Sequence, residues 1–275
     1  MAGQGAGNQD TMADPAVELV QQAVEAHGGL ARWRQTELIT ARCRSGSLAL
    51  ATKLRLRAFR RYEARISTRA PRVVIAPYGG AGRRGVLDGR TVRIEREDGR
   101  VLVERADAHL RFARRGGRVR RMVYWDRLDV LYVTAYTLWN HFTVPFLLFD
   151  PEFEFRIGRG WEEGEEIWRR LHVHFPPHLP THSHRQSFYF DPKGLLRRVD
   201  CVAEVFGQWA RVAHFCSEHE TVSGLVFPTR RREVPRDAEG FPRRGPTLAW
   251  MEVDEIAVGH ASAPTASAPA ASGPA

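Results

Sequence analysis

Cysteine is scarce in this chain of 275 residues: Cys43, Cys201 and Cys216 are the only three. An odd count without C-x-x-C spacing excludes a disulfide framework and a zinc ribbon. Lysine is scarcer still. Lys53 and Lys193 stand alone among 41 basic residues, so arginine carries almost the whole +9 net charge. The arginines are spread over many segments and are not interleaved with a nucleic-acid motif. The excess therefore reads as compositional, alongside abundant Ala, Gly and Pro, and no nucleic-acid partner is expected. No apolar run reaches the ~18 residues of a spanning helix, so no integral membrane association is expected. The opening MAGQGAGNQDTMADP lacks the basic and apolar regions of an export signal, which makes a cytoplasmic location the expectation. G-x-S-x-G, Walker A, the dinucleotide glycine motif and H-E-x-x-H are all missing. The glycine-rich GGAGRRG at 79–85 reads as a loop between strands rather than a phosphate cradle. No cofactor is implied.

What is present suits a sizeable core. Hydrophobic residues make up 43% and charged residues 27%, the balance of a soluble domain. Residues 1–13 are small and polar, and 261–275 are an Ala/Ser/Pro tract, neither able to bury a core. Residues 14–260 are expected to form one domain. A first helix is punctuated by Asp14 as cap, Pro15 at the first position and Gly28–Gly29 at the end. Val17, Val20 and Val24, widened by Leu19 and Ala23, form its apolar stripe. Leu30–Trp33 makes a further short turn.

From Glu37 to about Glu104 the hydrophobic period becomes two, in short runs divided by Gly, Pro and Asp–Gly signals. Leu50, Thr52, Leu54 and Leu56 alternate with Lys53, Arg55 and Arg57, an antiparallel pattern with one wet face. Asp88–Gly89 and Asp98–Gly99 are the expected hairpin turns. A strong helical pattern interrupts the strands: Leu128, Leu131, Tyr132, Ala135, Leu138, Trp139 and Phe142, capped by Asp126 and stopped by Pro145. PFLLFDP then reads as an apolar loop. Seven more β-prone runs follow, the fourth of them LLRRVDCVAEVF. Strands, then helix, then strands, without βαβ alternation, define an α+β, mostly β class. About a dozen antiparallel strands must curl into a half-barrel or split into two layers.

The stretch Trp168–Phe206 concentrates the polar chemistry. On its first strand Trp168, Arg170, His172 and His174 share a face. A second H-x-H, His182 and His184, is expected to open the next strand and continue through Gln186, Phe188 and Phe190. Two such pairs on neighbouring strands would present imidazoles to one metal ion, although no carboxylate lies between them. After a turn at Pro192–Gly194, Arg198, Asp200 and Glu204 share a face, and His214 shares one with Cys216 and Glu218 on the following strand. An Asp orienting a His beside an Arg is an arrangement for acid–base work or for a polar ligand head. The same groups equally make a charge-satisfying network inside a curved sheet.

HGGLARW, PFLLFDP, THSHRQSFYFDPKGLLRRVD, AHF and FPTRRREV together resemble a bacterial family of similar length without an assigned activity, over most of residues 20–258. That family is similar in fold to the LolA/LolB-like outer-membrane lipoprotein carriers. Positions matching its pattern are His182, Gln186, Tyr189, Arg198, Asp200, His214, Pro228, Thr229 and Arg231. Cys201 departs from the pattern, as do the extra histidines 172, 174 and 178. The resemblance implies a strongly curved antiparallel sheet, its concave face covered by helices and holding an acyl chain or other apolar small molecule. Tyr132, Trp139, Phe142, Phe188 and Phe190 are the expected ligand-binding residues. A cofactor-independent cyclase, isomerase or hydrolase for a polyketide-like or terpenoid-like substrate is the alternative. His182, Asp200 and His214 would then supply acid–base groups and Arg198 would stabilise negative charge. A metalloprotein built on His172, His174, His182 and His184 is the third reading.

Overall fold

The computed structural model describes residues 14–51, 53, 61–113 and 124–260. Helix α1 spans Pro15–Ala26, with the Asp14 carboxylate accepting from Ala16 N at 2.8 Å. Its buried face is Ala16, Leu19, Val20, Ala23 and Val24, whereas Val17 is 42% exposed. The stripe is thus rotated away from Val17, because Ala16 supplies the first core contact. The helix ends at His27, followed by Gly28 and Gly29 at φ +113° and +84°. A Cβ on Gly28 would lie 2.2 Å from the Gly224 carbonyl oxygen. HGGLARW is therefore a corner seated on a distant hairpin turn, with Val226 N donating to His27 O at 2.9 Å. Helix α2, Leu30–Gln35, stacks Trp33 on Phe146 with ring centroids 4.2 Å apart.

The N-terminal strands are β1 (Thr36–Ser47), β2 (Tyr62–Ser67), β3 (Arg72–Ala76), β4 (Arg83–Asp88), β5 (Thr91–Arg96) and β6 (Val101–Arg105). After the long helix come β7 (Glu154–Ile157), β8 (Trp161–Glu163), β9 (Glu166–His174), β10 (Arg185–Phe190) and β11 (Leu196–Val202). The last three are β12 (Arg211–Val222), β13 (Leu225–Pro235) and β14 (Ala249–His260). They form one sheet in the order β6-β5-β4-β3-β2-β1-β14-β13-β12-β11-β10-β9-β7, with β8 also on β9. Neighbours are antiparallel, and the first strand pairs with the last, which joins the two meanders side by side. The sheet curves strongly and does not close.

The expected turns are in place: Gly89 and Gly99 have φ +59° and +88° between β4, β5 and β6. Four expectations change. Leu48–Ala51 is a single helical turn after β1, not the start of a strand. Thr52, Leu54, Arg55, Leu56 and Arg57 lie outside the described residues. The glycine-rich loop is shorter than 79–85, because Arg83 already begins β4. Gly85 sits within that strand, where a Cβ would approach Leu131 Cδ1 to 2.5 Å; the missing side chain lets the helix pack closely. PFLLFDP contains a 3-10 turn, Phe146–Phe149. The strand expected through Phe206 ends at Val202.

The long helix, Arg127–Thr143, carries a capping box between Asp126 and Asp129. Leu128, Leu131, Tyr132, Ala135, Leu138, Trp139 and Phe142 are all buried, each large side chain contributing roughly 1.5–3 kcal/mol. The helix crosses the concave face. Trp139 Nε1 donates to Ser67 O on β2 at 3.1 Å, and the Phe142 ring lies 6.0 Å from Phe227 on β13. Arg105 on β6 anchors its start, at 2.6 Å from Asp126 and 2.7 Å from Asp129. Cys43, Cys201 and Cys216 are free and buried. Among the described residues no helix is long and apolar enough to cross a membrane.

Candidate functional site

The register of β9 to β13 decides which polar residues meet. His172 pairs with Ser187, and its Nδ1 lies 2.8 Å from Ser187 Oγ. Leu171 and Val173, on the other face of β9, pair with Phe188 and Gln186 in the core. His172 and His174 therefore lie on the convex side, where His174 stands 3.5 Å from Glu154. His178 sits beside Glu152 at 3.6 Å. His182 and His184 precede β10 rather than opening it. His182 turns inward, so the two H-x-H pairs do not meet. Among the described residues no group of three or more His, Cys, Asp and Glu could hold a metal ion.

The expected Asp200–His214 contact is also absent. Asp200 pairs with Ala213 and Arg198 with Phe215, whereas His214 pairs with Val199. Arg198 and Asp200 thus occupy the convex face and His214 the concave one. The Asp200 carboxylate accepts from Arg198 Nε at 2.7 Å, Arg198 Nη2 at 2.9 Å and Tyr189 OH at 2.9 Å. Arg236 stands 3.5 Å away. Arg198 is wholly buried, its guanidinium 4.5 Å from the Trp161 ring and 4.8 Å from the Tyr189 ring. Its Nη2 also donates to Gly240 O. These contacts clamp β8 and the loop after β13 onto the outside of the sheet. Glu204 lies beyond the end of β11 and lines a separate cleft.

The concave face holds a different set. A cavity of about 120 Å³ opens beneath the long helix, lined on its apolar side by Leu50, Tyr62, Val133, Leu138, Phe206 and Met251. A smaller one of about 40 Å³ adjoins it, lined by Asn140, Gln186, Cys201, Leu196 and Arg231. Thr137, His141, His182, His214 and Glu233 line both. His182 is fixed by the helix: Tyr136 OH lies 3.0 Å from Nδ1, and Thr137 Oγ1 lies 3.1 Å from Nε2. Thr137 spends its own proton on Val133 O at 2.7 Å. Nε2–H must therefore donate to Thr137, and Nδ1 accepts from Tyr136.

Burial sets the protonation of this wall. It lowers the pKa of His182 to about 4 and depresses His141 and His214 as well. All three imidazoles are neutral near neutral pH. Burial raises the Cys201 and Cys216 thiols, which rules out a resting thiolate nucleophile. The carboxylate facing His214 is Glu233, at 3.9 Å from Nδ1, too long for a direct hydrogen bond. His141 and His214 rings sit 4.5 Å apart. His141 Nδ1, His214 Nε2 and Asn140 Oδ1 are buried without a hydrogen-bond partner.

Of the expected apolar ligand residues, Phe188 lines the smaller cavity. Tyr132 lines the separate cleft of about 210 Å³ with His109, His178 and His184. Trp139, Phe142 and Phe190 are buried core and line none of the three. The helix presents Val133, Thr137, Leu138 and His141 to the cavity instead. Their signal, Thr137 and His141 four residues apart on one helical face, was masked by the stronger aromatic stripe. Arg231 and Glu233, two apart on β13, share a face in the same way.

No protein-family model matches this chain, and a comparison with curated proteins returns no match. Solved structures do match. A putative outer-membrane lipoprotein-sorting protein domain from Vibrio parahaemolyticus superposes with a TM-score of 0.50 at 7% identity, covering 88% of this chain and 91% of that one. The fold is LolA-like. A LolA superfamily protein from Nitrosomonas europaea has a TM-score of 0.49 at 8% identity, covering 90% and 94%. At 7% identity the likeness to the Vibrio parahaemolyticus domain concerns the fold alone and carries no site residue across.

Proposed function

We propose that this LolA-like half-barrel binds an apolar small molecule or short acyl chain between the long helix and the concave sheet. The observation that carries the reading is the cavity under Val133 and Leu138, apolar along most of its wall and polar at one end. At about 120 Å³ it is close to the size at which a dry engineered cavity admits benzene, ~150 Å³. It is below the ~300 Å³ of a drug-sized pocket, so a longer guest requires the helix to shift. The Vibrio parahaemolyticus domain is a putative lipoprotein-sorting protein, which is compatible with an apolar guest here.

The test is binding of the neutral fluorophore N-phenyl-1-naphthylamine, with native mass spectrometry of protein purified from its own host. Saturable binding that is lost in Val133→Phe, with the fold retained, supports the reading. No probe binding together with no co-purified apolar molecule overturns it.

A further inference from the structure

We propose that the polar end of this cavity is an anion site built around Arg231, and that the ligand is a carboxylate-bearing amphiphile such as a short fatty acid. The inference rests on the apolar-guest reading and specifies which end of the guest goes where.

Arg231 is 2% exposed on the concave face of β13. Nη1 donates to the Cys216 sulfur at 3.1 Å and Nη2 to the His141 carbonyl at 2.7 Å. The second contact caps the C-terminal end of the long helix with a cation, the favourable sign for its dipole. Both acceptors are formally neutral, and among the described residues no carboxylate lies within ion-pair distance of Arg231. Every other deeply buried arginine or acid among the described residues is paired: Arg198 with Asp200, Glu95 with Arg84 and Arg93, Asp129 with Arg105, and Asp191 with Arg197. A buried guanidinium is costly unless an anion compensates it, and it remains charged.

The surroundings point to the same place. Arg231 lines the smaller cavity together with His141 and His214, whose orphaned Nδ1 and Nε2 can each carry a proton for an anion to accept. Asn140 and Gln186 line it too, with their amide N–H groups already donating to Tyr136 O, Pro180 O, Thr181 Oγ1 and Ser183 O. The size selects the anion. About 40 Å³ holds roughly three water-sized positions, which suits a planar three-atom carboxylate. A glycerophosphoryl head is far too large. The guanidinium fork matches a carboxylate geometrically. Glu233 also faces this space but stands beside His214, not Arg231, and so leaves the guanidinium uncompensated. The five residues shared by both cavities connect this head site to the apolar chamber, where an acyl chain would continue.

Calorimetric titration of the full-length protein at neutral pH with octanoic acid, octan-1-ol and octyl phosphate tests the proposal. Octanoate is expected to bind at least 10-fold tighter than octanol, and more tightly than octyl phosphate. Arg231→Gln is expected to erase the acid-over-alcohol preference while alcohol binding persists. Equal binding of acid and alcohol overturns the anion site but leaves the apolar-guest reading standing. Tighter binding of the phosphate overturns the carboxylate assignment. If neither acid nor alcohol binds, the anion site fails, and the apolar-guest reading is decided by the naphthylamine probe and the co-purified molecules. The wild-type comparison decides the matter even if the variant does not fold.

Discussion

Asp200→Ala is the perturbation that best separates a structural clamp from a functional acid. The substitution removes the carboxylate that accepts from both Arg198 nitrogens and from Tyr189. Removing one partner of a buried ion pair costs about 3–5 kcal/mol, because the remaining charge is stranded. Tyr189 loses its acceptor, which adds about 1 kcal/mol. The Arg198 guanidinium lies over the Trp161 and Tyr189 rings before and after the substitution, so these contacts offset none of the loss. The net expectation is a loss of about 4–6 kcal/mol. Urea unfolding followed by circular dichroism reads the loss, and N-phenyl-1-naphthylamine binding below the transition reads the cavity. Affinity should stay within two-fold of the parent, since Asp200 faces away from the chamber. A loss under about 1 kcal/mol refutes the clamp. Abolished probe binding at an undiminished midpoint would instead place Asp200 at the ligand. Arg198→Met combined with Asp200→Leu should recover much of the stability, because the stranded charge goes with its partner.

His27, His182 and His219 each have a pKa lowered to about 4, mainly by burial. Folded imidazoles stay neutral while unfolded ones take up protons below about 6.5, so the unfolded state binds more protons in between. Stability should be complete above about pH 6.5 and fall progressively towards pH 4; a urea midpoint that is flat from pH 7 to 5 would contradict neutral burial. His182→Gln should make that profile shallower by about 1.4 kcal/mol per pH unit. Phe190→Ala should cost about 3–5 kcal/mol in unfolding experiments and leave the folded protein's probe affinity intact, since Phe190 packs the core outside the cavity. Gly28→Ala should lower stability by more than about 2 kcal/mol, through its left-handed backbone and the collision with Gly224, and a thermal shift under a few degrees would argue against the corner described here.

Much of the architecture was legible because its signals are local. Caps at Asp14 and Asp126, the Asp–Gly turns and the aromatic stripe of the long helix depend only on neighbours in the chain. The site was harder to read because it depends on register. Period two tells which residues of one strand share a face, but not which face of that strand looks inward. On β11 the usual cue fails outright: Arg198 and Asp200 are buried while Val199 between them is only half-buried. Both faces are covered, one by the long helix and the other by β8 and the loop after β13, so polarity no longer marks the outside. Ser187 opposite His172, and Val199 opposite His214, are facts of pairing that no run of residues announces. The short β8 and the helical turn at Leu48–Ala51 escaped for a simpler reason, being too brief to show a period.

The sheet's two free rims have a mechanical consequence. A closed barrel has a girth fixed by strand number and shear, and widening it means rupturing a ladder. Here β6 and β7 are terminal strands, and the long helix acts as a tie-rod. It is bolted near one rim by Arg105 to Asp126 and Asp129, and well inside the opposite half by Arg231 to the His141 carbonyl. Longer guests therefore work against the elasticity of a bent sheet and one slipping bolt, without breaking backbone pairs. Such a vessel should lose affinity gradually along a series of lengthening alcohols. A sharp cut-off at one length, measured by calorimetry, would show that the rod is rigidly fixed.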